Sequence, residues 1–201
     1  MLLSFSRSRI TIQDILLACL FQTHHHWTEQ NTLLVELLLH GRISIFPEMN
    51  LLRTVGWINN LVPLVLQAEA ISDYRQLIAT LKRQIDAIPH RGIGYGICRY
   101  LSGLETQNLF RLLPNPEFSL NYQGRRLRQK GLSWIRPAKE QIKHTQSRLR
   151  VDTMKIWLTA DIDDNSLHIQ WGYQKHLYRK ETINAFANDF LLQLQNIAQS
   201  I

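Results

Sequence analysis

Apolar residues at Ile12, Ile15, Leu16, Cys19, Leu20 and Trp27 recur at three- and four-residue intervals, which places them on one face of a helix. That helix opens at Thr11, whose hydroxyl caps it, and Asp14 three residues on completes a capping box. From Thr32 to His40 leucine and valine occupy both parities, predicting a strand buried on both faces. Val55 to Gln67 predicts a second extended segment, with Pro63 marking a bend or a sheet edge. Tyr74, Leu77, Ile78, Leu81, Ile85 and Ile88 stripe a second helix running from Asp73 until Pro89 stops it. A stretch punctuated by glycine follows, Gly92 to Gly103, and then a short strand from Phe118 to Tyr122. Met154, Ile156, Leu158, Ala160 and Ile162 alternate strictly, Asp163-Asp164-Asn165 turns the chain, and Leu167, Ile169, Trp171 and Tyr173 alternate again, a hairpin. The last helix carries Ile183, Phe186, Ala187, Phe190, Leu191, Leu194 and Ile197 on one face. This succession predicts an α/β fold, a mixed sheet layered with helices, in a single unit spanning residues 1–201.

Charged residues make up 19% of the chain and apolar ones 45%, a balance that calls for a heavily buried interior or a surface that expects a partner. No apolar run reaches the roughly 20 residues of a membrane-spanning helix, so a membrane is not an expected partner. Arg7, Arg9 and the apolar residues up to Cys19 imitate a lipoprotein signal, but Thr11, Gln13 and Asp14 interrupt the apolar run. Cys19 and Cys98 sit in apolar surroundings without metal-ligand spacing, which predicts a reduced, cytoplasmic protein. The net charge of +7 is concentrated: Arg125 to Arg150 holds nine basic residues against the single acid Glu140. Such a segment either attracts an acidic partner or is a solvated loop.

Three apparent motifs fail on physical grounds. His24, His25 and His26 diverge by about 100° per residue on a helix and cannot close on one ion, so no metal is expected and the three are placed at the helix end. Gly92-Ile93-Gly94-Tyr95-Gly96 has neither the spacing nor the preceding strand of a dinucleotide loop. The basic segment contains one aromatic, Trp134, which disfavours a single-strand nucleic-acid binder.

Four blocks in order carry a family resemblance: Leu38-Leu39-His40-Gly41-Arg42; Arg53-Thr54-Val55-Gly56-Trp57 with Pro63 beyond; Ile88 to Gly96; and Phe118 to Gly124. With the tail Ile169-Gln170-Trp171-Gly172-Tyr173, they resemble the successive motifs of epimerization domains, and of closely related condensation domains, in nonribosomal peptide synthetases. The resemblance runs from about residue 11 to 199 and corresponds to the C-terminal half of such a domain. It implies a lobe similar to chloramphenicol acetyltransferase, meeting a first lobe in a V, with a tunnel between them. It implies no cofactor of its own, since phosphopantetheine enters only as carried by a partner carrier protein. Catalysis in the family relies on a His-His-x-x-x-Asp-Gly motif, which this sequence lacks. Epimerizing members also place a glutamate where this chain has Leu38, and stereoinversion needs two proton-transfer groups. Glu36 shares the face of Leu38 and needs a register slip to substitute for that glutamate. After Gly56-Trp57 the chain departs again, with Ile58-Asn59-Asn60.

Tunnel or motif candidates are therefore His40, Arg42, Gly56, Trp57, Asn59, Tyr95, Asn121 and Tyr122, and no residue is assigned a catalytic role. His40 and Arg42 are expected as a buried polar pair, Trp57 and Tyr95 as core or interface packing, and Gly56, Gly92, Gly94 and Gly96 as tight turns. Asn121 and Tyr122 are expected to face the tunnel, and Arg125, Arg126 and Arg128 to dock an acidic carrier. The leading expectation is a lobe without independent catalysis, acting with an N-terminal lobe or synthetase module or standing as a remnant, and prone to self-association through its uncovered face. The alternatives are an acyltransferase-type enzyme assembled as a homo-oligomer or split enzyme, and a basic nucleic-acid-binding module.

Overall fold

The computed structural model describes residues 10–43, 45–69, 72–126, 154–163 and 165–200. The first helix, α1 (Ile12–Thr28), begins as its sequence dictates. Thr11 Oγ1 accepts from the Asp14 amide at 3.2 Å, and the Thr11 amide donates back to Asp14 Oδ2 at 2.8 Å. The helix ends where Glu29 turns left-handed (φ 59°) and its N–H reaches the His25 carbonyl at 2.7 Å. Six consecutive residues, Leu16 to Phe21, are buried, so α1 is enclosed on more than the one face its periodicity predicts. Enclosure pushes the Cys19 thiol up to about 12, which makes it an inert core group. Trp27 differs from expectation. It is 44% exposed and meets the core only through the edge of its ring, 5.4 Å from that of Phe186.

Five strands form one mixed sheet: β1 (Thr32–His40), β2 (Asn59–Gln67), β3 (Phe118–Arg125), β4 (Ile156–Asp163) and β5 (Ser166–Tyr173), in the order β2-β1-β3-β4-β5. The central pairs β1–β3 and β3–β4 are parallel, and the outer pairs are antiparallel. The second extended segment starts at Asn59 rather than Val55, because the residues before it form a loop. Pro63 falls on an edge strand, where its missing N–H removes no ladder bond. The β4–β5 hairpin pairs Asp163 with Ser166 around Asn165, which is left-handed at φ 65°; Asp164 lies outside the described residues.

Helices α1, α2 (Tyr74–Asp86) and α5 (Lys180–Ser200) cover one face of this sheet. Leu33, Val35, Leu37, Phe118, Leu120, Ile156, Leu158 and Ala160 project into them, and the register aligns Val35 with Phe118 and Phe118 with Ile156. Full burial of each such side chain contributes about 1.5–3 kcal/mol. Burial of β1 on both faces holds for one face only, because its other parity (Leu34, Glu36, Leu38) is half-buried. Asp73 caps α2 by accepting from the Arg75 and Gln76 amides, and Pro89 follows its end as expected. In α5, Ile183, Phe186, Phe190 and Ile197 are buried, whereas Leu191, placed on the same stripe by periodicity, is 44% exposed.

The glycine-punctuated stretch is where expectation and fold part most. It forms a short helix, α3 (Ile93–Tyr100), with Gly94 and Gly96 inside it, and a second, α4 (Leu104–Leu112), follows directly after Gly103. A glycine costs a helix only about 1 kcal/mol against alanine, and α3 is amphipathic, with Ile93, Ile97 and Tyr100 on one face. Gly56 (φ 154°) and Gly92 (φ 77°) do take conformations that favour glycine. At Gly92 close approach adds to this, since a Cβ would lie 2.4 Å from Val62 Cγ2. Gly92 thus brings α3 against the start of β2, and this closeness shapes the site described next.

Candidate functional site

The face of the sheet opposite α1, α2 and α5 is lined along its strands by every second residue. Glu36 and Leu38 lie on it in β1, Ser119 and Asn121 in β3, Trp157, Thr159 and Asp161 in β4, and His168, Gln170 and Gly172 in β5. Two cavities open near this face. One, of about 520 Å³, is polar and lies among Gln123, Arg126, Asp161, Asp163, His168 and Gln170. The other, of about 380 Å³, lies between β1, the start of β2 and α3.

The smaller cavity gathers several of the residues singled out by sequence. Trp57, Asn59 and Tyr95 line it together with Leu38. Trp57 is 87% exposed, so it is a wall of an open cavity and not core packing. Tyr95 is half-buried, with its ring 5.6 Å from that of Phe110, as packing predicts, and its hydroxyl accepts from Arg99 Nη1 at 2.7 Å. Sequence reasoning missed Arg99, Tyr100, Asn115 and Met154, which share the cavity. The Tyr95–Arg99 pair stands at i,i+4 and becomes visible once this stretch is read as a helix. Glu36 also lines the cavity, beside Leu38 and without a register slip. Burial pushes its carboxyl up, and Arg99 partly counters this.

His40 and Arg42 are not a pair. His40 is exposed at the end of β1, with Nε2 3.1 Å from Arg91 Nη1. Arg42 instead holds the loop before β2. Its Nη1 donates to the carbonyls of Leu51 and Thr54, each at 2.6 Å, and its Nη2 to that of Gly56 at 3.1 Å. A planar fork of fixed donors suits three carbonyls in a way a lysine ammonium does not. The loop carries Trp57 at its end, so Arg42 fixes one wall of the cavity from outside it. Replacing Arg42 by alanine is expected to raise the rate of trypsin cleavage after the exposed Arg53 at least about tenfold, since each charged hydrogen bond contributes about 1.5–3 kcal/mol. Lysine should restore only part of the protection, and mass spectrometry of the fragments reads the site. An unchanged cleavage rate would show that the loop is held by other contacts.

Asn121 and Tyr122 are consecutive on β3, so they cannot face the same way. Asn121 lies on the open face, whereas Tyr122 packs against the core. Of the docking candidates, Arg125 Nη1 donates to Asn165 Oδ1 at 3.1 Å. Arg126 is bound more firmly. Its Nη2 donates to Asp161 Oδ1 at 2.9 Å, and its Nε lies 2.7 Å from Oδ2, an ion contact off the hydrogen-bond line. Asp161 is buried, so charge reversal at Arg126 carries a folding cost that a free surface arginine would not. Arg128 and the rest of the basic segment through residue 150 lie outside the described residues.

The three histidines sit in the last turns of α1 and diverge as expected. His24 meets the ring of Phe118 edge-on at 5.7 Å, His25 Nδ1 lies 3.2 Å from the Gln30 carbonyl, and His26 Nδ1 lies 3.3 Å from Asp189 Oδ2. Among the described residues, no group of three metal-ligating side chains gathers anywhere.

Comparison with known proteins follows the same lines. The model of the condensation-domain family matches residues 4–201. A linear gramicidin synthase polypeptide of Brevibacillus parabrevis is 34% identical over 197 residues, which is 94% of this chain and 4% of that protein. Gramicidin S synthase 1 of Brevibacillus brevis is 28% identical over 202 residues, 95% of this chain and 18% of that protein. Among solved structures, the epimerization domain from the third module of a tyrocidine synthetase superposes with a TM-score of 0.81 at 29% identity, covering 94% of this chain and 42% of that one. The starter condensation domain of rhizomide synthetase, at 12% identity and a TM-score of 0.59, shares the fold. The chain thus spans less than half of these solved domains and a small part of the synthetases.

Proposed function

The chain belongs to the condensation-domain family, and on that footing we propose that it serves as the second lobe of a condensation or epimerization unit, without independent catalysis. One observation carries the reading. Read as a substrate wall, the cavity beside α3 carries Trp57 and Tyr95 of the motif-like blocks, yet the position that resembles the glutamate position of epimerizing members is Leu38, an alkyl side chain that cannot transfer a proton. The sequence also lacks the His-His-x-x-x-Asp-Gly motif that would supply the opposite base. In this reading the lobe needs a first lobe or synthetase module as partner, or stands as a remnant. It holds no cofactor, and phosphopantetheine reaches it only on an acidic carrier steered by Arg125, Arg126 and Arg128.

The surface supports a need for cover. Leu52, Val55 and Trp57 before β2, and Leu101, Leu104 and Leu112 around α4, are all more than two-thirds exposed. Apolar side chains grouped in this way mark surfaces that associate, and a first lobe or a second copy of the chain would cover them. Among the described residues no helix is long and apolar enough to cross a membrane.

The test is turnover. The purified chain, given carrier-bound aminoacyl substrates, is expected to yield neither the opposite stereoisomer nor a new peptide bond, as read by chiral chromatography and mass spectrometry. Clear turnover without a second protein would overturn the proposal.

A further inference from the structure

The cavity beside α3 contains one charged group, Glu36, to which the described residues bring no hydrogen-bond donor. Glu36 is half-buried among Leu38, Trp57, Tyr95 and Tyr100. Arg99 is the cation nearest to answering it, but its donors are directed elsewhere. Nη1 donates to the Tyr95 hydroxyl at 2.7 Å and Nη2 to Asn115 Oδ1 at 3.4 Å, and the guanidinium lies 5.9 Å and 5.8 Å from the Tyr95 and Tyr100 ring centres. Its charge only partly offsets the burial of Glu36. A carboxylate taken out of water in this way is stabilised by a cation that brings its own N–H donors.

The surrounding walls narrow what that cation is. Trp57, Tyr95 and Tyr100 line the cavity, and aromatic rings favour both a cation and a flat apolar side chain. A volume of about 380 Å³ has room for an aminoacyl group. The remaining N–H donors of Arg99 suit a carbonyl oxygen on the same ligand. We propose that this cavity binds an aminoacyl group through its free α-ammonium, with Glu36 as the acceptor, and so selects unacylated aminoacyl substrates over N-acylated or peptidyl ones. The inference rests on reading the cavity as the substrate wall. It adds which end of the substrate the wall recognises.

The probes are L-phenylalaninamide and N-acetyl-L-phenylalaninamide, titrated into the whole chain by calorimetry or NMR at a pH where the free amine is protonated. The two share ring and carbonyl and differ in the charge. The free amine is expected to bind at least about tenfold more tightly, the effect of one charge-assisted hydrogen bond. Glu36→Gln, nearly the same shape, should remove that preference and leave the acetylated probe unaffected. Binding of the free amine should also weaken as the pH falls through the raised range of the Glu36 carboxyl, because protonation removes the acceptor charge. Equal binding of both probes, unaffected by Glu36→Gln, overturns the ammonium assignment while leaving the cavity a substrate wall. Binding of neither probe overturns both.

Discussion

Replacing Gly172 by alanine is expected to lower the melting temperature of this chain by about 3–10 °C, corresponding to an overpacking cost of about 1–3 kcal/mol. Gly172 lies opposite Trp157 across the β4–β5 pair, and the indole rests directly on the glycine backbone. A Cβ at this position would sit 1.9 Å from Trp157 Cε2 and 2.0 Å from its Nε1. The clash is with a ring and not with the end of a flexible chain, so the whole indole must tilt off the open face. The variant should therefore also change the environment-sensitive part of the tryptophan fluorescence. A melting temperature within about 1 °C of the parent would mean that the sheet accommodates the methyl group by shifting its backbone, contrary to the packing argument.

A larger loss is expected for Phe190→Ala, about 3–5 kcal/mol, because a fully buried aromatic is removed and a cavity remains. Phe190 and Trp171 meet edge to face with ring centres 5.3 Å apart, and Trp171 also meets Phe186 at 5.5 Å, so one ring on β5 joins two on the last helix. Phe186 in turn stacks on Phe118 at 5.7 Å, which carries the cluster into β3. Against a total stability of about 5–15 kcal/mol, such a loss leaves a large unfolded fraction near physiological temperature. Urea unfolding should show the midpoint falling with the slope unchanged. Phe190→Leu should cost much less, and a loss below about 1 kcal/mol for alanine would remove this cluster from the centre of the core.

These two residues also show how unevenly the structure can be read from the chain. Phe190 was visible as a core position because helical periodicity requires only local spacing, and the same applies to the Thr11–Asp14 cap and to the bounds of β1. Gly172 was visible only as part of a family-like tail. Its role depends on Trp157, fifteen residues earlier, reaching it across a strand pair. The helix α3 was missed because its two glycines lower helix propensity locally, whereas packing against β2 and the Tyr95–Phe110 contact with α4 hold it in place.

The candidate site divides in the same way. Sequence determined that Leu38 has no proton to transfer, that Trp57 and Tyr95 stand in blocks resembling family motifs, and that Glu36 shares the parity of Leu38. Each of these follows from residue identity, from order along the chain, or from the two-residue period of a strand. Tertiary structure decided that Trp57 forms an open wall, that Arg42 reaches nine to fourteen residues ahead to fix it, and that Tyr122 turns to the core while Asn121 does not. It also decided that Glu36 enters a cavity shared with Arg99, where among the described residues no donor closes on it. The physical reason is range. Caps, stripes and alternation are set by neighbours within one or two turns of chain, whereas burial and charge compensation at Glu36 depend on β1, α3 and the loop before β2 meeting at one end of the sheet.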